Sequence, residues 1–194
     1  MNTPADTPSG KLQDTFEEHG DRVNDITYRH PHESEILPQI QAVLEQTATG
    51  KRLLQTAETY KIPVRLIKGD TMHGFSPEGR AAYVSLPVDR KTMTPRLVLE
   101  LSAALRGAEQ EIMGYKQPLS ADIDPLEYAA LHHAKNLDLV VNMCRVAHEY
   151  FQKTEDSTYI NLLEEMGHGG LYDAYVRDFA SDDLVDVYYE QGES

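Results

Sequence analysis

Ile62-Pro63-Val64-Arg65-Leu66-Ile67, closed by Gly69-Asp70, and Ala81-Ala82-Tyr83-Val84-Ser85-Leu86, closed by Pro87, decide the fold class. Both runs are short, rich in branched or aromatic residues and bounded by turn formers, which predicts two strands. The stretch between them, from Met72 to Gly79, holds Gly74, Pro77 and Gly79 and reads as turns. Two strands so close in sequence imply either a hairpin or neighbouring strands in a small sheet.

The flanking sequence changes to helical period. Before the strands, Ile36, Ile40, Val43 and Leu44 recur at helical spacing, and a second helix carrying Leu53, Leu54, Ala57 and Tyr60 begins near Gly50. After them, Thr94-Pro95 and Asp124-Pro125 each offer an N-cap side chain followed by proline at the first helical position. They predict helices to about Met113 and about Lys153. A shorter helix follows over Asp156 to Met166, stopped by Gly167 and the Gly169-Gly170 pair. Further helical pieces are expected near Leu171 to Phe179 and Asp183 to Tyr189. The class is α+β, mostly helical, with a small sheet of at least two strands packed on helices. Residues 1–32 are polar and poor in large apolar groups, which predicts a flexible N-terminal arm ending near Pro31. Residues 33–194 are expected to form a single domain.

Charge narrows the function classes. With 18 basic against 32 acidic side chains, the formal net charge is −14. Such a field repels phosphate backbones, and the Lys and Arg residues are scattered without a basic patch, so nucleic acid is excluded as a partner. The polar first twenty residues lack the apolar core of a secretory leader, and no apolar run reaches membrane-spanning length. Together with the single cysteine, Cys144, these features predict a cytoplasmic protein with no disulfide and no membrane contact. Cys144 falls in an apolar helical stretch and reads as a small buried hydrophobe, not a nucleophile.

No chemical motif is intact. A helical zinc protease needs two histidines four residues apart with a glutamate between them, and His148-Glu149 and His32-Glu33 both lack the second histidine. Adjacent His132 and His133 diverge by about 100° on a helix. His133 lies on a stripe with Leu137, Val140 and Cys144 and reads as a core or boundary histidine, and His148 reads the same way. His168 lies in a glycine loop without a phosphate-binding fingerprint, and His19, His30 and His32 fall in the arm. The acidic pairs Asp122/Asp124, Glu164/Glu165 and Asp182/Asp183 lack the spacing of a calcium loop and read as solvated faces. There is no nucleophile elbow and no P-loop.

The order of elements is more informative. Thr49-Gly50-Lys51-Arg52-Leu53-Leu54 leads through a helix to Ile62-Pro63-Val64-Arg65-Leu66. Gly74-Phe75-Ser76-Pro77, the second strand and the Thr-Pro helix follow. This order resembles an uncharacterised bacterial metallopeptidase family with a zincin-like domain, over about residues 48–190. In that family the second strand is an edge strand above the site, and the next helix carries His-Glu-Leu-x-His-Ala. Here the corresponding segment is Leu99-Glu100-Leu101-Ser102-Ala103-Ala104, so the glutamate is kept and both zinc histidines are replaced. The family's acidic Glu-Ala-Asp-Ala stretch is missing from Tyr128 to Tyr150. The tail from Ala174 to Phe179, with Asp182-Asp183 and Tyr188-Tyr189, resembles its aromatic C-terminal segment. The resemblance implies a zincin-like scaffold that has lost its metal site, with Glu100 as a catalytic remnant and no cofactor.

Helix geometry adds a test. Leu97, Leu101, Ala104, Leu105, Ala108 and Ile112 form one apolar stripe, and Leu99, Ala103 and Gly107 form a second where a zincin would point its ligands. A helix apolar on two faces packs on both, so the former metal cavity is either filled or open as an apolar groove beside Tyr83. Glu100 is expected to pair with a Lys or Arg. Three functions follow: an inactive scaffold binding an unidentified protein or peptide along the sheet edge near Tyr83 to Leu86, a hydrolase with a metal site relocated to Glu100, His132 and His133, or a plain helical interaction domain.

Overall fold

The computed structural model describes residues 29–70, 72–115 and 124–177. Within them the chain is mostly helical, with a small three-stranded mixed sheet packed on helices, an α+β arrangement. The elements run α1 (Glu33–Leu44), α2 (Ala48–Thr59), β1 (Val64–Lys68), β2 (His73–Ser76), β3 (Ala81–Leu86), α3 (Pro95–Ile112), α4 (Pro125–Thr154), α5 (Thr158–Glu165) and α6 (Gly169–Arg177).

The α1–α2 corner depends on one glycine. Thr47 caps α2 by accepting the Gly50 N–H at 3.0 Å, and a Cβ on Gly50 would lie 2.2 Å from the carbonyl oxygen of Leu44. A second cap comes from far along the chain. Glu149 on α4 accepts the Thr49 N–H at 2.8 Å and the Thr49 hydroxyl at 2.6 Å. Its carboxylate thus meets the positive end of the α2 dipole.

The sheet order is β1-β3-β2, with β1 and β3 parallel and β2 and β3 antiparallel. The two strands foreseen from sequence are therefore neighbours, but not a hairpin. Gly74, Pro77 and Gly79 make Met72 to Gly79 read as turns, but pairing with β3 makes His73–Ser76 a strand. Gly74 stands opposite Tyr83, and a Cβ there would come within 3.2 Å of the tyrosine hydroxyl. The missing side chain makes room for that ring.

Helix α3 runs through the middle, packed against α1, α2, α4, α5, β2 and β3. It is buried from Leu97 to Leu105 and again from Gly107 to Gln110. The C-terminal half of α4 joins this core through Met143, Cys144, Val146 and Ala147. The first turns of α4, with Leu126 and Leu131, are exposed.

Three expectations need correcting. Residues 29–32 are docked, not a free arm: the His30 N–H donates to Leu66 O at 2.8 Å, and Arg29 bridges Ile67 across the open side of β1. The His30 ring is buried, its Nδ1 accepts the His32 N–H, and its Nε2 lies 3.2 Å from Pro87 O. That geometry fits the tautomer with the proton on Nε2. Covering β1 in this way shields an edge that would otherwise present unpaired backbone groups. Gly167, at φ +80°, does end α5, but Gly169-Gly170 opens α6 instead of stopping a helix. His133 is exposed, because the sequence stripe it shares with Cys144 is not covered that far toward the start of α4. The arm up to residue 28, Asp122, Asp182-Asp183, Tyr188-Tyr189 and the expected helix over Asp183 to Tyr189 lie outside the described residues.

Candidate functional site

The segment Leu99 to Ala104, which the resemblance sets against a zinc helix, lies within α3. Thr94 and Pro95 start this helix, which packs against β3 and β2. Leu99 and Ala103, where the resemblance places the zinc histidines, are both 0% exposed and sit within the hydrophobic core. Farther along the same strip, a Cβ on Gly107 would touch Leu139 and Phe75 at 3.9 Å. The strip is core, so these residues line no open groove. Zinc needs nitrogen, oxygen or sulfur donors, and the hydrocarbon of Leu99 and Ala103 offers none. The residues present do not fit the metal.

Glu100 is 2% exposed and accepts a hydrogen bond from Arg96 Nε at 2.7 Å. The pair lines a cleft of about 210 Å³ together with Leu86, Pro87, Arg90 and Thr94. His73 on β2, not singled out by any spacing in the sequence, lies within electrostatic reach. Desolvation lowers its pKa below the ordinary 6.5, Glu100 opposes this, and Arg96 reinforces it. Half-buried Tyr83 has its phenol pushed up by desolvation.

The other candidate residues do not join Glu100. His132 stands on the exposed start of α4, hydrogen-bonded to Asn136 and stacked on Tyr128, with His133 set edge-on beside it. Among the described residues, no three His, Cys, Asp or Glu side chains are gathered where they could hold one metal ion. His148 is held by the Tyr172 hydroxyl at 3.1 Å and Gln152 at 2.8 Å. Cys144 is buried, and burial pushes its thiol up to about 12, far from a reactive thiolate.

β3, proposed from sequence as an edge for a bound peptide, is the central strand with partners on both sides. The available edge belongs to β2. Ser85 N–H donates to Met72 O at 2.7 Å, so this pair is hydrogen-bonded across the antiparallel ladder. Such pairs alternate, and the register then makes Gly74–Tyr83 and Ser76–Ala81 the bonded pairs. The N–H and C=O groups of His73 and Phe75 therefore point away from β3, and no described strand pairs with them.

A second cleft, of about 230 Å³, opens where α2, α3 and α4 meet, and is lined by Arg52, Arg106, Asp138, Val141, Asn142 and Arg145. Arg106 holds Asp138 through Nε at 2.6 Å and Nη2 at 3.1 Å, and holds buried Glu109 at 2.5 Å. Arg52 also binds Glu109, and Gln110 donates to Asp138 at 2.6 Å. Burial works to raise the Glu109 pKa, but the hydrogen bonds from Arg52 and Arg106 outweigh it and hold the carboxyl below its ordinary value. Nothing in the sequence marked this network, since its members lie on three helices without a repeating interval.

Among the described residues no helix is long and apolar enough to cross a membrane. Comparisons with protein-family models, curated proteins and solved structures found no match.

Proposed function

We propose that this chain is a non-catalytic, zincin-like scaffold that works by binding an extended peptide segment of a protein partner. One observation supports the loss of catalysis above all others. At the three positions of the former zinc motif, two side chains are buried hydrocarbon and the third, Glu100, is clamped by Arg96. A general base must reach a water or substrate proton, and a carboxylate 2% exposed and hydrogen-bonded by Arg96 is engaged in an internal ion pair instead. A cytoplasmic setting suits a chain with one cysteine, which is buried.

The outward backbone groups of His73 and Phe75 favour strand addition as the binding mode, in which main-chain hydrogen bonds supply affinity. This moves the proposed peptide site from β3 to β2. His73→Pro tests it, because the side chain is exposed at the first position of β2 and proline there deletes an outward N–H without removing a bond to β3. Peptides selected on the wild-type protein from a random display library should bind His73→Pro about tenfold more weakly, as expected for one lost hydrogen bond, with little change in melting temperature. Selected peptides indifferent to the substitution would overturn the strand-addition reading. Elemental analysis of untagged protein prepared without chelator tests the other half. Stoichiometric zinc would refute the non-catalytic assignment, whereas its absence, with no stabilisation by added zinc, would support it.

A further inference from the structure

The cleft between α2, α3 and α4 has a charge opposite to that of the chain. Three guanidiniums, Arg52, Arg106 and Arg145, meet only two carboxylates, Asp138 and Glu109, in a protein of net charge −14. The surplus sits at Arg145. This side chain donates to the phenol of Tyr175, whose pKa burial keeps raised, and it enters no ion pair with a described carboxylate. Glu149 acts on the same phenol from farther off, and among the described residues Arg145 is the cleft guanidinium without a direct carboxylate contact. Donors remain as well. Arg106 uses three of its five N–H groups on Glu109 and Asp138, and Arg52 binds Glu109 through Nη1 alone.

The anchoring of these arginines makes the cleft more than a loose surface cluster. Glu109 is 3% exposed and ties Arg52 to Arg106 across two helices, while the fork of Arg106 on Asp138 fixes the third. The Arg106 plane is held before any ligand arrives, so little of its side-chain entropy is left to lose on binding. The volume, about 230 Å³, accommodates roughly eight water-sized groups.

We infer that this cleft is a binding site for a small oxyanion, either a phosphate group or the carboxylate of a small acid, held by Arg52, Arg106 and Arg145. Arginine suits both, since its fork matches two oxygens at once. The site is separate from the β2 edge and does not depend on the peptide-binding proposal.

The test is calorimetric titration of the full chain, at low ionic strength, with inorganic phosphate and separately with acetate and succinate. Saturable binding of at least one anion is expected, with a Kd of about 1 mM or tighter, weakened by added chloride. Arg145→Gln should weaken it about tenfold. Arg52→Gln provides the same check if Arg145→Gln does not fold. A response to phosphate alone identifies a phosphate site, and a response to the acids identifies a carboxylate site. The inference is overturned if none of the three anions binds up to about 20 mM, a weakness beyond any built site, or if binding is indifferent to the arginine substitutions.

Discussion

Arg96→Met separates a structural role for Glu100 from a functional one. Glu100 is 2% exposed, so removing Arg96 strands a carboxylate where water scarcely reaches it. Breaking a fully buried pair in this way costs about 3–5 kcal/mol. Arg96 itself is 49% exposed, so the pair is partly screened, and we expect about 2 kcal/mol. Glu100→Gln should cost less, about 1 kcal/mol or below, because the amide oxygen still accepts from Arg96 and the buried charge is gone. The double variant should recover much of the loss caused by Arg96→Met. At about 2–4 °C per kcal/mol for a chain of this size, Arg96→Met lowers the melting temperature by about 4–8 °C and Glu100→Gln by less than half of that. Urea unfolding of the four proteins closes the thermodynamic cycle. If Glu100→Gln were the more damaging substitution, or Arg96→Met left stability unchanged, the pair would not be the structural clamp described here.

Gly50→Ala should destabilise by about 2 kcal/mol or more, measured by urea unfolding, because its Cβ would meet the Leu44 carbonyl at 2.2 Å. Cys144, with its thiol pushed up to about 12, should resist iodoacetamide at pH 8 in the native protein and react once unfolded. Glu109 has a folded pKa below its ordinary 4.5, so its contribution to stability is present above that value and lost as pH falls through the folded pKa. The difference in urea midpoint between wild type and Glu109→Gln should therefore be full at pH 7 and shrink in acid, and a difference that grew in acid would reverse the sign of the argument.

Local signals in the sequence located most helices, and long-range ones did not exist to be read. Thr94-Pro95 and Asp124-Pro125 marked the starts of α3 and α4 because caps act within one turn. β2 escaped because His73-Gly74-Phe75-Ser76 becomes a strand only through β3. The same reason hid His30, whose burial depends on β1 and Pro87, far along the chain. His133 was assigned by its stripe, but a stripe tells which face is apolar and not how far along a helix its cover extends. In the candidate site, the second apolar strip through Leu99 and Ala103, both buried, was legible from helical spacing. The guanidinium cleft was not, since Arg52, Glu109, Asp138 and Arg145 meet only after three helices pack.

The ion pair on α3 is oriented against ordinary helix preference. An acid placed four residues before a base is the better order, complementing the helix dipole, and here the base comes first. Helix propensity therefore does not account for Arg96 beside Glu100. Burial does: α3 is enclosed on nearly every side, and a carboxylate at position 100 needs a cation able to reach it from the cleft mouth. One turn toward the N-terminus is where Arg96 can extend its stem along apolar surface and keep about half of itself in water. Four residues later the cation would occupy the position of Ala104, which is 1% exposed, with no outlet for a charge. The order of the pair thus follows from which end of the helix opens to solvent, and a carboxylate satisfied in this way needs neither a metal nor a substrate to explain its presence in the core.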